Sequence, residues 1–399
     1  MFTGRPVMAR NALVFFVIGV SFFDTLAQLP IVAPYARHLG AGTTLVGLTV
    51  AAYSLANMVG NILAGPVIDR RGRKASMVTG MLIAAAGVLL AAAASAPGHF
   101  LGARIVHGLG GAILVPAAFA YVGDRTGASR AGGAVGMAKS GIAIGVAALL
   151  GPPLAGILKD RAGFDAVFVF VGLLLVVTAL VVRVLLEEPG LRARPTPSLG
   201  DFAAYRRFLD RPVYAGAVTA VFCLTFGKGI LAFALPLRGD ALGYGAAPVG
   251  VLMSGFAFSA ILVFALGRRL GGVSLETRVL GGLGVMGLSL GLLDGLTSYW
   301  ALMSVMLAYG VGFGLLFPAA AAQVVSVTSE EDRGRAFGLY YAAFSLGIVA
   351  GPVVSSLLHV WTGLSPFLCG AAALLAGVPL AASAYARVPA HEPTTGASR

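Results

Sequence analysis

The chain has 399 residues, 58% of them hydrophobic and only 11% charged. Globular domains carry about a quarter charged residues, so the polar surface needed for a soluble fold is missing and an integral membrane protein is expected. The net charge of +12 then reads as membrane topology rather than as a nucleic-acid footprint.

About 20 apolar residues cross the hydrocarbon core as a helix. Twelve runs of suitable length lie near 12–36, 43–67, 75–95, 98–123, 131–158, 163–186, 213–236, 246–266, 275–293, 299–325, 335–359 and 363–386. The first is too long and too acidic at its centre for a cleaved signal peptide, and eleven similar runs follow it. At that centre stands SFFDTLAQ (21–28). An aspartate there costs about 2.5–3.5 kcal/mol on insertion scales, so Asp24 demands an explanation. Arg104 in span four, Lys139 in span five and Lys228 in span seven are the other charges well inside spans.

The basic residues set the topology. With a cytoplasmic N-terminus, 21 of the 28 Lys and Arg fall on the inner side, four on the outer and three within spans. The positive-inside rule therefore predicts both termini in the cytoplasm. The longest polar stretch divides the chain into an N-terminal six-helix bundle (1–186), a cytoplasmic central loop (187–212) and a C-terminal six-helix bundle (213–399). Within that loop Phe202, Tyr205, Phe208 and Leu209 share a face opposite Arg206, Arg207 and Asp210, which fits either a short surface helix or a plain linker. The halves echo one another: span five opens on Arg130-Ala131 and reaches Gly151-Pro152, and span eleven opens on Arg335-Ala336 and reaches Gly351-Pro352. Repeats at corresponding positions are a mark of alternating-access transporters.

The two cysteines, Cys223 and Cys369, lie in apolar spans without metal-ligand spacing, so neither a disulfide framework nor a zinc site is expected. GLSLG (287–291) fits the nucleophile-elbow pattern only by letters, since it sits mid-span. A phosphate-binding Gly-x-x-x-x-Gly-Lys-Ser is absent from the sequence. No enzyme, metal or cofactor is expected, and transport driven by an ion or substrate gradient is.

The loop between spans two and three, GNILAGPVIDRRGRKAS (60–76), contains Gly65, Asp69, Arg70, Gly72, Arg73 and Lys74. It resembles the signature loop of the major facilitator superfamily at nearly every defined position. The resemblance, with twelve spans and two halves, covers essentially the whole chain. It implies an all-α multi-pass membrane protein of twelve helices in two pseudo-symmetric six-helix bundles, most similar to twelve-span drug and metabolite:proton antiporters. It also implies that Asp69 pairs with neighbouring basic residues and faces the start of helix eleven, latching the halves on the inner side, with Asp124 and Arg130 placed to join. ARIVHGLGG (103–111) is similar to the family's span-four motif, with His107 where a glutamine is usual. The antiporter motif of span five is kept at Gly151, Pro152 and Gly156, but Ala147 and Ala155 replace two glycines.

The resemblance further implies that spans one, four, seven and ten line a central cavity. Three of the four buried charges then face it, and Asp24 is the only carboxylate near mid-membrane. Burial favours a neutral carboxyl and a nearby arginine favours the ionised one. Asp24 is accordingly the leading proton-coupling residue and His107 the second, against the alternative of a fixed Asp24–Arg104 ion pair. Asp24, Arg104, Lys228, Phe23, Gln28 and Phe226 are the expected cavity residues. The glycines beside Lys228 weaken the helix, a pointer to a substrate site. The basic excess leans towards an anionic or zwitterionic small molecule, less so if Lys139 snorkels to the inner interface. The expected function is proton-coupled export of a drug-like compound or metabolite by a monomer in the cytoplasmic membrane. Uptake or exchange of an organic anion, movement of an amphiphile or lipid precursor, and a non-transporting receptor are the alternatives.

Overall fold

The computed structural model describes residues 5–126, 130–188, 207–329 and 332–387; side chains are described there except at 5–11, 62–67, 69, 123–126, 130–138, 268, 271 and 334. The described elements are helical. They are α1 (Arg5–Ala27), α2 (Val32–His38), α3 (Thr43–Arg71), α4 (Arg73–Ala92), α5 (Pro97–Thr126), α6 (Arg130–Ala162), α7 (Phe164–Leu185), α8 (Pro212–Ala241), α9 (Ala246–Ala265), α10 (Leu275–Gly295), α11 (Tyr299–Ser326), α12 (Arg333–Thr362) and α13 (Pro366–Tyr385), with a 3-10 turn at Gly267–Gly272. Eleven of these are long and apolar enough to cross a membrane, and α1 with α2, bent by 45°, makes a twelfth span. The bend follows from Pro30, which lacks the N–H that would continue the ladder. The Leu29 amide instead turns back to Leu26 O.

Packing sorts the helices into two bundles. In the first, α4 and α5 pair closely, α3 lies on α5, α7 on α4, and α1 on α6. In the second, α12 and α13 lie on α8, α10 on α11, and α9 on α11. The bundles meet where α3 crosses α12 and where α6 crosses α9. No hydrophobic force distinguishes a neighbouring helix from lipid, so close backbone approach has to hold these crossings. Glycine makes the approach possible: a Cβ at Gly110 would lie 2.2 Å from Ala84 N, and one at Gly80 2.7 Å from Leu114 N.

The Gly-Pro repeats do the same work in each bundle. Gly151 brings α6 within 3.2 Å, Cβ to N, of Ala27 on α1; Gly351 would set a Cβ 2.3 Å from Phe226 O on α8. The following carbonyls face the opposite bundle. Pro152 O meets Gly250 of α9 and Pro352 O meets Gly47 of α3, each too close for a side chain (2.3 and 2.6 Å to a Cβ). Gly156 likewise admits Ala246 O.

Two expectations change. Helix α8 runs unbroken through Phe226–Ile230. Gly227 and Gly229 serve packing there, the first against Leu374 and Leu290 and the second against Ile348 O of α12. Of the central loop, only the part from 207 on is described, and Phe208 and Leu209 part company. Phe208 is buried, its ring 5.6 Å from that of Tyr214, while Leu209 is exposed.

We expect Gly110→Val to cost about 1–3 kcal/mol or more through overpacking, lowering both Tm and the yield of monodisperse protein. Gly98→Ala, with nothing within 4 Å of the added methyl, should leave both unchanged in the same thermal-shift assay.

Candidate functional site

The carboxylate of Asp24 sits three residues before the end of α1, buried, where the helix breaks. His107 Nε2 lies 2.7 Å from Asp24 Oδ2. Gln28 Nε2 donates both to Asp24 Oδ1 at 2.8 Å and to the Asp24 carbonyl at 3.0 Å. The second bond satisfies the carbonyl at the point where α1 ends and the chain turns away. Arg104 Nη1 reaches Gln28 Oε1 and His107 Nδ1, each at 3.1 Å, and its guanidinium lies 5.0 Å from the Tyr53 ring centroid. Tyr53 also stacks obliquely on His107 and bonds Thr25. Arg104 and His107, three residues apart, share one face of α5.

These contacts assign the proton positions. A guanidinium only donates, so Nδ1 of His107 must be the acceptor and Nε2 carries the hydrogen given to Asp24. The imidazole is therefore neutral and the carboxylate accepts on both oxygens. A direct Asp24–Arg104 pair does not form: among the described residues the side chains that reach the Asp24 carboxylate are His107 and Gln28. Arg104 meets the acid only through His107 and Gln28, and its Nε is buried without a hydrogen-bond partner.

The remaining expected cavity residues are dispersed. Phe23 points away from Asp24, against Phe170. It lines an apolar cavity of about 750 Å³ between α1, α6 and α7, with Lys139 as its charged wall residue among the described ones. Lys139 is exposed at the start of the apolar stretch of α6, its Nζ 5.8 Å from the Phe15 ring. This placement fits a snorkelling lysine. Phe226 is buried in the second bundle and packs on Phe222. Lys228, half-buried on α8, sets its Nζ 5.8 Å from the Phe313 ring on α11.

The signature loop turns on Gly72, whose φ of +87° belongs to the region glycine tolerates. Gly72 cannot cap α4 with a side chain, and Glu188, just past α7, does so instead. Its carboxylate accepts from the amides of Arg73 (2.5 Å) and Lys74 (2.9 Å). Arg73 is buried and donates to Ile68 O, while Arg70 is exposed. The expected latch side chains Asp69, Asp124 and Arg130 lie outside the described side chains, as does the environment of Gly65.

A second carboxylate cap joins the two bundles. Asp160, near the end of α6, accepts from the Ala246 and Ala247 amides at the start of α9, at 3.0 and 2.8 Å. The residue before them is Gly245, and a side chain there would collide with the Asp160 carboxylate (2.6 Å). Sequence reasoning passed over Asp160, Glu188 and Tyr53. The legible signal for the first two was a helix whose N-cap is glycine, as at Gly72 and Gly245, which leaves its first amides needing a carboxylate from elsewhere.

Among known proteins, the chain is 25% identical over 361 residues to an uncharacterised MFS-type transporter of Methanocaldococcus jannaschii, covering 88% of this chain and 92% of that one. It is 24% identical over 379 residues to multidrug resistance protein 1 of Bacillus subtilis (93% and 95% covered). It is 21% identical over 370 residues to the quinolone resistance protein NorA of Staphylococcus aureus (91% and 93% covered). Solved structures of the same fold include a bacterial homologue of the human lysosomal transporter Spinster, with TM-score 0.74, 14% identity and coverage of 96% and 95%. Another is the peptide transporter POT, with TM-score 0.79, 15% identity and coverage of 94% of each chain. The sequence model of the Major Facilitator Superfamily matches residues 14–291 and 218–399. With its twelve spans in two bundles and its signature loop, the chain belongs to the major facilitator superfamily of membrane transporters, which are not enzymes.

Proposed function

We propose that this transporter is a proton-coupled exporter of a drug-like compound or metabolite, working by alternating access in the cytoplasmic membrane with both termini inside. The observation that carries the reading is the buried Asp24–His107–Arg104 network. On this reading it is the deprotonated form of a proton site: an ionised acid, a neutral imidazole and a guanidinium that balances the acid. A proton can be taken up in two places. On the Asp24 carboxyl it removes the charge that Arg104 balances. On His107 Nδ1 it turns an acceptor into a donor, and Arg104 must then leave. Either event loosens the tie between α1 and α5. Helix α1 rests on α6 through Gly151 and Ala27, and α6 is the helix that meets α9 of the other bundle. A change at Asp24 thus has a packed route to the contact between bundles.

With the N-terminus inside, the Asp160–α9 cap and the Gly47, Gly156 and Gly250 crossings lie towards the outer side. They hold that side closed in this arrangement, the side an exporter keeps shut while it collects cargo from within. Asp160 would act as the outer counterpart of the inner latch implied for Asp69, each placing a carboxylate on the N-terminus of a helix from the opposite bundle. The relatives named for multidrug and quinolone resistance support export, and nothing in the fold requires more than one copy.

A second reading, uptake or exchange of an organic anion, is favoured by Lys228, a cation midway along α8. The direction of gradient-driven flux separates the two.

In proteoliposomes with an imposed pH gradient, Asp24→Asn should lose gradient-driven accumulation at least tenfold while keeping substrate counterflow, which needs no proton. Full accumulation by that variant would remove Asp24 from coupling. His107→Gln should behave like Asp24→Asn rather than like native protein. Charge-assisted hydrogen bonds contribute about 1.5–3 kcal/mol. Asp160→Ala should therefore shift the population at least tenfold towards the outward-open state, read as faster external labelling of Ser254→Cys by an impermeant maleimide in a chain with Cys223 and Cys369 replaced. Unchanged labelling would show that Asp160 does not hold the outer side closed.

A further inference from the structure

We infer that Lys228 and the phenylalanine cluster that Phe313 brings beside it form a recognition site for an aromatic anion, a molecule joining a ring to a carboxylate or comparable acid. The inference rests on the transporter reading above and adds the chemical class of its cargo.

Lys228 cannot escape its surroundings by snorkelling. It stands at the middle of the 30-residue helix Pro212–Ala241, about 20 Å from the nearer end at ~1.5 Å per residue. A lysine stem does not span that distance. The nearest acid along α8, Asp240, is about 18 Å further on by the same rise. The other described carboxylates of spans seven to twelve, Glu276, Asp294 and Asp332, fall at helix ends. Among the described residues no ion pair or hydrogen bond reaches Lys228. Its recorded interaction is with the face of Phe313. A ring face offsets only part of what an ammonium loses on leaving water. The three N–H donors of Lys228 are thus left without a counter-ion among the described residues.

The ring beside Lys228 belongs to an aromatic cluster. Phe313 and Phe317, one turn apart on α11, stack with centroids 5.5 Å apart and planes at 14°. Phe256 of α9 meets Phe313 edge-on at 5.3 Å, and Phe344 of α12 meets Phe317 edge-on at 6.1 Å. All four are half-buried, so each keeps a free edge or face. Three helices of one bundle therefore contribute rings to a cluster that reaches, through Phe313, a cation on a fourth. An ammonium favours an anion through charge-assisted hydrogen bonds, and the rings favour a flat partner by offset or edge contact. The first bundle has the reverse character at its own core, where Asp24 is fully answered by His107, Gln28 and Arg104. A cation would find no unanswered charge there, whereas an aromatic anion finds one at Lys228.

The test is calorimetric titration of the purified chain in detergent, without a proton gradient. The probes are naphthoate, methyl naphthoate, naphthylmethylammonium and cyclohexanecarboxylate, against native protein, Lys228→Gln, Lys228→Arg and Phe313→Leu. Naphthoate should bind native protein at least tenfold more tightly than its ester or the ammonium. It should also bind several-fold more tightly than the saturated acid. Lys228→Gln should erase the preference of acid over ester, and Lys228→Arg should keep it. Phe313→Leu should erase the preference of aromatic over saturated acid while keeping that of acid over ester. Each readout is a ratio within one protein, and the arginine variant separates loss of charge from loss of fold. No naphthoate binding to native protein, equal binding of acid and ester, or a tenfold preference surviving in Lys228→Gln would each overturn the proposal. Proton coupling is read separately, by Asp24→Asn in vesicles, so failure there would remove the antiport mechanism and leave this site standing.

Discussion

The 2.7 Å contact between His107 Nε2 and Asp24 Oδ2 is the interaction around which the first bundle is organised. A lone carboxylate among apolar helices is too costly to leave unanswered, and here the answer comes from one face of α5 and from the broken end of α1 itself. The break and the site share a cause. Pro30 has no amide for the Leu26 carbonyl, the Leu29 amide takes it instead, and in the same turn the Gln28 side chain bonds the Asp24 carbonyl and carboxylate together. The network is neutral as a whole yet contains two groups able to take a proton, and either uptake would leave it one charge positive.

A second constraint governs how that local event could reach the rest of the molecule. Helices in lipid gain little by burying apolar surface against each other, so contact between bundles depends on backbones coming close. The Gly-Pro pairs at 151–152 and 351–352 solve this twice. Each glycine seats its helix on the first helix of its own bundle, and each following carbonyl lies against a glycine of the other bundle. Contacts of this kind are either made or broken, because packed backbone does not deform continuously. Carboxylate caps complete the arrangement. Glu188 holds the signature loop to the end of α7, and Asp160 ties α6 to the start of α9.

Much of this was legible in the residues. Twelve apolar runs, the basic bias of the loops, the signature around Gly72 and the isolation of Asp24 follow from composition and spacing, because bilayer thickness and the cost of buried charge act on sequence directly. The partner of Asp24 was not legible. Arg104 and His107 share a helix face, and only the side-chain geometry shows the imidazole taking the carboxylate while the guanidinium stands behind it. The glycines beside Lys228 read as a weakened helix and turned out to be packing surfaces for α10, α12 and α13. Phe23, one residue from Asp24, faces the other way for the simple reason that neighbours on a helix lie about 100° apart.

What the sequence by itself determined is the architecture and the list of charges that had to be explained, since hydropathy, loop charge and the signature loop are local properties of the chain. Only the tertiary structure decided which charges answer one another. Asp24 meets His107 across 83 positions and Asp160 meets the amides of Ala246 and Ala247 across 86 and 87. Lys228 meets the ring of Phe313. Pairings at such separations depend on how helices rotate and cross. That is set by which small residues let backbones touch, a property of helix pairs rather than of any one span.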